Sequence, residues 1–263
     1  MNSFDFLLPS RISYDGEDGI TMVLDKGLGL LNLIDIMEIS GEYLDFLKFG
    51  WGTITLHDRD IVKEKIEVAN SFDVSPYPGG SLFEIAYLSN KIPEYFDELD
   101  RLGFETLEIS DGSIAIEHEI KLDLIKKAKR KGFYVLSEVG KKNQIDDNNL
   151  ELESRINLIK SELSVGSDKV IVEGRESGKS IGIFDKDGNA KDDEIDVILK
   201  NINQNDLIWE APNKNQQVYF VLKLGSNVNL GNININDITS LETIRRGLRG
   251  DTISKLFKKI DTI

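Results

Sequence analysis

The chain has no cysteine and only two histidines, His57 and His118, in 263 residues. Disulfides and thiolate zinc sites are thereby excluded, and a histidine-rich transition-metal centre has too few ligands. Any metal must be a hard cation held by carboxylates, such as magnesium. Positive charge is also in deficit. Lysine and arginine number 32 against 46 acidic residues, for a net charge of −14 and a pI near 4.7. A nucleic-acid surface needs a basic face, so that function is not expected, and neither is binding to an anionic membrane. If the ligand is an anion, cations must be concentrated locally against the overall field. Long apolar runs are missing too: nothing approaches the ~18 residues of a membrane span. The opening MNSFDFLLPSR has no basic stretch followed by an apolar core, so no signal peptide is expected and the cytoplasm is the default compartment.

What is present is a core-forming chain, 40% hydrophobic. Short β-branched runs predict strands at 19–26, 43–50, 74–78, 106–111, 134–141, 169–175, 207–211 and 228–232. Helical periodicity marks DIVKEKIEVANSF, SLFEIAYLSNKIPEYFDELDRLG (kinked or split at Pro93), IKLDLIKKAKRKG, LESRINLIKSELSVG, DEIDVILKNI, NQQVYFVLKLG and SLETIRRGLRG. Several of these end in glycine, as helix C-termini often do. A strand–helix repeat of roughly 30 residues implies parallel βα units. Eight of them in one chain predict an α/β fold, a single (β/α)8 TIM-barrel domain over residues 1–263. A doubly wound open sheet is the rival, but VLDKGLG after the first strand is a poor phosphate fingerprint.

Barrel enzymes work at the C-terminal ends of their strands, and charged residues collect there. Strand one ends in Asp25-Lys26 and strand two in Lys48, before Gly50-Trp51-Gly52. Strand four carries Glu108, then Asp111. Strand five carries Glu138, then Lys141-Lys142. Strand six carries Glu173 and Arg175, and strand seven Glu210. Alternation puts Glu138, Gly140 and Lys142 on one face, and Glu173 with Arg175 on another. A charge inside an apolar strand is costly unless it is paired or metal-bound. Internal salt bridges plugging the barrel would explain one such residue. Four carboxylates on successive strands, interleaved with cations, favour a site for a divalent metal and an anionic substrate.

VIVEGRESGKS, residues 170–180, looks like a strand entering a phosphate loop. The glycine spacing is one residue short of a Walker A motif, and Glu173 stands where glycine is required. It reads instead as strand six and its loop, with Gly178-Lys179 left as a possible anion contact. Gly225-Ser226 and Gly231-Asn232 flank strand eight, where barrels often bind phosphate through backbone N–H groups. His57 and His118 read as surface residues, Asp185-Lys-Asp187-Gly188 as a turn, and Trp51 as either a pocket wall or packing. Arg245, Arg246 and Arg249 read as pairing residues as readily as substrate contacts.

The strings KFGWGT (48–53), YPGG with LFE (77–84), EISDGS (108–113), SEVGKK (137–142), EGRESGK (173–179), WEAP (209–212), NQQ (215–217) and SLETIRRGLRGDT (240–252) together resemble the phosphosulfolactate synthase family. The resemblance runs across nearly the whole chain. It implies a (β/α)8 barrel and magnesium-dependent addition of sulfite to phosphoenolpyruvate, giving (2R)-phospho-3-sulfolactate in coenzyme M biosynthesis. On that resemblance Lys142 is the general acid. Glu138, Glu173 and Glu210 are the Mg2+ ligands. Lys26, Lys48 and Arg175 receive phosphate, carboxylate and sulfite, and Asp111 partners the metal or a lysine. The resemblance also implies a homo-oligomer, with a trimer as the suggested assembly. Two rivals stand beside it: a non-catalytic heat-stress-associated homologue, and a lyase or aldolase barrel that adds another nucleophile to an enolate. The polar segment RISYDGEDG before strand one is read as a longer lead-in.

Overall fold

The computed structural model describes residues 3–11 and 19–260; most of RISYDGEDG therefore lies outside the described residues. Eight strands form one parallel sheet: β1 (Thr21–Asp25), β2 (Phe46–Phe49), β3 (Ser75–Pro78), β4 (Thr106–Ile109), β5 (Tyr134–Val139), β6 (Lys169–Val172), β7 (Leu207–Glu210) and β8 (Leu230–Asn234). The hydrogen-bonded order is β3-β2-β1-β8-β7-β6-β5-β4, a (β/α)8 barrel with one seam. All eight predicted strands are present, and most end earlier than predicted.

The helices are α1 (Leu30–Ser40), α2 (Arg59–Asn70), α3 (Gly80–Leu88), α4 (Ile92–Leu102), α5 (His118–Arg130), α6 (Gln144–Asn148), α7 (Leu152–Ser164), α8 (Asp192–Asn201), α9 (Lys214–Leu224), α10 (Ile238–Arg245) and α11 (Ile253–Ile260). Pro93 splits the long predicted helix. It sits in the first turn of α4, where its missing N–H leaves no bond unmade. Gly103 closes α4 in the left-handed region at φ 88°, a conformation costly for a residue with a Cβ. Helix α1 is not foreseen by the periodicity, because LLNLIDIMEIS is apolar around most of its circumference and shows no single stripe.

Parallel strands in a barrel are buried on both faces, and two apolar layers result. Met22, Phe46, Tyr77, Leu136, Ile171 and Ile208 fill the barrel interior. Val23, Leu47, Leu107, Val135, Val170 and Trp209 face outward against the helices. Each such side chain contributes about 1.5–3 kcal/mol through burial. Trp209, fully buried, stacks on Phe220 of α9 with ring centroids 5.2 Å apart.

The seam lies between β3 and β4, and composition explains it. β3 reads Ser-Pro-Tyr-Pro. The N–H groups of Ser75 and Gly79 bond the carbonyls of Asp45, just before β2, and Phe49, its last residue, so alternation turns Pro76 and Pro78 toward β4. Neither has an N–H to offer. Side chains close the gap: the Ser75 and Thr106 hydroxyls lie 2.8 Å apart.

Candidate active site

Above the interior apolar layer, the next inward-facing residues are charged. They line a cavity of about 270 Å³ at the C-terminal end of the barrel, where side chains from all eight strands and their loops converge. Glu108, Glu138, Glu173 and Glu210 are each at most 1% exposed. Suitable oxygens of Glu138, Glu173 and Glu210 lie within 4.8 Å of one another. Lys48 projects among them, 2.9 Å from Glu108 Oε2, 3.5 Å from Glu210 Oε1 and 3.7 Å from Glu138 Oε2. Lys142 Nζ stands 3.3 Å from Glu138 Oε1 on the opposite side.

Backbone N–H groups orient two of the acids. Glu210 Oε2 accepts from Gly174 and Arg175 at 2.9 and 3.0 Å, and Glu173 Oε1 accepts from Arg175 at 2.7 Å. Both oxygens of Glu138 and Oε2 of Glu173 are buried with no donor in bonding geometry among the described residues. Four carboxylates face two ammonium groups, leaving two negative charges uncompensated if every group is ionised. Buried anions in that balance must take up protons or a cation. Burial and the neighbouring Glu138 and Glu210 push Glu173 well above the usual carboxyl range. Burial would also raise Glu138, but Lys142 and Lys48 outweigh it and hold it at about 2. The surrounding carboxylates more than offset burial at Lys48 and Lys142, raising both, so both ammonium groups are kept charged. Clustered oxygen donors with spare lone pairs fit a hard divalent cation.

The other predicted positions divide. Arg175 lines the cavity, with its side chain exposed and its backbone at φ 58°. It has no ion-pair partner among the described residues. β6 ends at Val172, so Glu173 and Arg175 belong to the turn beyond it. Asn232 lines the cavity as well, 8% exposed, with Oδ1 unbonded. It occupies a bulge in β8: Thr21 pairs Leu230 but Val23 pairs Ile233. Bulges of this kind re-aim a side chain, and Asn232 adopts φ 54°, which asparagine tolerates better than most residues.

Lys26 lies at the rim rather than in the cavity, ion-paired with Glu176 and 5.7 Å above the Trp51 ring. Glu176 and Trp51 do line the cavity. Asp111 points away from it, toward Lys121 of α5 at 2.8 Å and Lys141. Lys121 also pairs with Glu162 of α7 at 2.7 Å and donates to the carbonyl of Glu138 at 2.7 Å. Gly231 lies beneath the cavity, where a Cβ would overlap Met22 and stand 3.0 Å from Ile208. Its lack of a side chain serves packing of the barrel interior.

Sequence reasoning passed over the support around the acids. Gly80 N donates to Glu108 Oε1 at 2.7 Å. Glu84, buried in α3, accepts from the Ser110 hydroxyl at 2.8 Å and the Ser113 N–H at 3.2 Å. The strings YPGG and EISDGS carried these residues without saying that they touch. Lys65 and Asp25, both fully buried, pair at 2.5 Å and fix the loop after β1, Asp25 also accepting from Gly27 and Leu28 N–H.

The phosphate-loop near-miss is held from behind. Gln216 Nε2 bonds the carbonyls of Gly178 and Gly188 at 2.7 and 3.0 Å, and Asn213 bonds that of Ser177. Gly178 is therefore packed on the NQQ string and is not among the cavity residues. Asp185 caps a turn by accepting from Asp187 and Asn189 N–H. His118 bonds Ser161 at 2.8 Å. His57 lines a separate apolar groove with Ile54, Leu82 and Tyr95. Arg245 is buried against the carbonyls of Ser226, Val228 and Ile20, at the opposite end of the barrel. Arg246 pairs with Glu242 at 2.5 Å, and Arg249 bonds Ser240 at 2.7 Å.

Among known proteins, a solved 3-hexulose-6-phosphate synthase from Salmonella typhimurium matches with a TM-score of 0.54 and 14% identity, over 90% of this chain and 98% of that one; it shows the fold alone. The phosphosulfolactate synthase of Methanothermobacter thermautotrophicus is 56% identical over 97% of this chain and 99% of its own. That of Methanocaldococcus jannaschii is 51% identical over 97% and 100%. The Arabidopsis thaliana protein Heat-stress-associated 32 is far more distant, 23% identical over 81% and 79%. The model of (2R)-phospho-3-sulfolactate synthase matches residues 9–251. With the barrel, the acidic cavity and this likeness over nearly its full length, the chain belongs to the (2R)-phospho-3-sulfolactate synthase family.

Proposed function

We propose that the cavity adds sulfite to phosphoenolpyruvate with magnesium as the metal. The observation that carries this reading is the convergence of three buried carboxylates with two ammonium groups in one cavity. Glu138, Glu173 and Glu210 would hold Mg2+, which when bound supplies electrostatic stabilisation of charge on the substrate carboxylate. Sulfite sulfur attacks C3 of the enol phosphate. The C2–C3 π electrons move toward the carboxylate, and C2 then takes a proton.

Lys142 is the donor we assign to that proton. It lines the cavity and stays protonated because of the carboxylates around it. Lys48, almost wholly buried, orients the acids and offers a fixed positive charge to a substrate anion. The Arg175 guanidinium, without an ion-pair partner among the described residues, and the Asn232 side-chain NH2 group supply donors at the cavity for phosphate or sulfonate oxygens. Lys26 adds positive charge at the rim. The family likeness further supports a cytoplasmic homo-oligomer. A single monomer species on sedimentation would contradict that part.

The test is a reaction followed by phosphorus NMR with phosphoenolpyruvate, sulfite and magnesium. We expect one new phosphate monoester signal that depends on all three and is abolished by EDTA. Phosphoenolpyruvate that persists under these conditions, or a rate unaffected by EDTA, would overturn the reading.

A further inference from the structure

Lys142 and Glu173 sit on different loops, and one buried carboxylate joins those loops behind the cavity. Asp147 of α6 is 4% exposed. Its Oδ1 accepts the N–H of Lys141 at 3.0 Å, and its Oδ2 accepts the N–H of Gly182 at 2.6 Å. Lys141 immediately precedes Lys142. Gly182 lies so flat on the carbonyl of Glu173 that any Cβ would overlap that oxygen. Asp147 therefore spans from the peptide carrying Lys142 to the peptide backing Glu173.

Arg155 of α7 completes the device. Its Nη2 donates to Asp147 Oδ1 at 2.9 Å, and it is itself 3% exposed. Its Nη1, without a bonding partner, packs under Gly140, 3.2 Å from where a Cβ would stand. Gly140 in turn lies against Glu173. A buried ion pair is roughly neutral for stability against an apolar replacement, and its best-attested use is to specify one arrangement. Here the arrangement is the spacing of two loops that each carry a reacting or ligating group. Catalytic groups must be held within about 0.5 Å, and a 1 Å misplacement costs on the order of 10²-fold in rate.

We propose that Asp147, braced by Arg155, is a positioning residue for the reaction: it sets the distance between Lys142 and Glu173. The inference rests on the roles proposed above for those two residues.

Steady-state kinetics on the full chain, with phosphoenolpyruvate, sulfite and magnesium, test it in wild type, K142A, D147N and D147E. For D147N the expected result is a kcat lower by about 10–100-fold, with the KM for phosphoenolpyruvate within about threefold of wild type and a raised magnesium half-saturation. A merely structural Asp147 would lower the melting temperature while folded molecules kept wild-type kcat, and that result overturns the proposal. If D147N does not fold, D147E retains the charge beside Arg155 but shifts the acceptor oxygens by about one C–C bond, ~1.5 Å. It should fold and lose kcat, and wild-type kcat in D147E overturns the proposal equally. K142A separates the two readings. Near-normal turnover in K142A removes the Lys142 role, whereas an inactive K142A beside a fully active D147N removes only the role of Asp147.

Discussion

The roles proposed for Lys142, proton donor, and Glu173, metal ligand, can each be removed separately. Lys142 is partly exposed at the cavity wall, so its stem supports little of the core. Lys142→Ala should reduce kcat by about 10²–10⁴-fold, the usual contribution of a proton donor, with melting temperature and circular dichroism close to wild type. Near-normal turnover would remove its role. Glu173→Gln keeps the shape of the side chain and loses one charged ligand. Magnesium half-saturation should rise at least about tenfold, given that even outer partners of metal ligands contribute that much. An unchanged magnesium titration would count against ligation. Glu138, Glu173, Glu210 and Lys142 were legible in the sequence because strand alternation and strand ends are local properties. Asp111, a metal or lysine partner on the family resemblance, meets the lysines Lys121 and Lys141, and Gly231, chosen for a backbone contact to phosphate, has its side-chain position packed against Met22 in the barrel interior. Which way a residue turns just past a strand end depends on loop geometry that no periodicity records.

At the scale of elements, the site depends on pairs that hold helices to the backs of the strands. Burial alone would raise the Asp111 carboxyl, but Lys121 and Lys141 outweigh it and hold the group below its ordinary value of 3.8. A depressed folded pKa stabilises the fold above the unfolded value and is lost as pH falls through the folded one. Asp111→Asn should thus destabilise the protein by about 2 kcal/mol at neutral pH. The gap should shrink below pH 3.8, as urea titrations at pH 7 and pH 3 would show; an equal gap at both would contradict the assignment. Gly231→Ala places a methyl on Met22 in the barrel interior. Overpacking there should cost about 1–3 kcal/mol with the KM for phosphoenolpyruvate unchanged. A raised KM with intact stability would return Gly231 to the substrate site. The strings YPGG, EISDGS and NQQ stood out in the sequence, but their purpose did not. Gly80 meets Glu108, Glu84 meets Ser110, and Gln216 meets Gly178 only after the chain has folded.

For the whole molecule, the repeat of short apolar runs and amphipathic stretches was sufficient to read eight βα units and hence the barrel. Parallel strands buried on both faces register as continuous apolar runs even where a helix without a single apolar stripe does not, as the unforeseen α1 illustrates. The seam between β3 and β4 was written in Ser-Pro-Tyr-Pro, but its meaning required knowing which edge the prolines face. The net charge of −14 also resolves at this scale. Acidic residues cover the exterior and also fill the cavity, where Lys48 and Lys142 meet them and Arg175 and Lys26 stand at the opening. A cation and an anionic substrate can therefore be held together in one small volume of an acidic protein. Diffraction from crystals soaked with Mn2+ and phosphoenolpyruvate tests this account most directly. It predicts an anomalous peak among Glu138, Glu173 and Glu210, at ligand distances near the ~2.1 Å of a magnesium-like ion, with the substrate carboxylate toward it and C2 facing Lys142. Metal at any other position, or phosphoenolpyruvate bound away from Lys142, would contradict it.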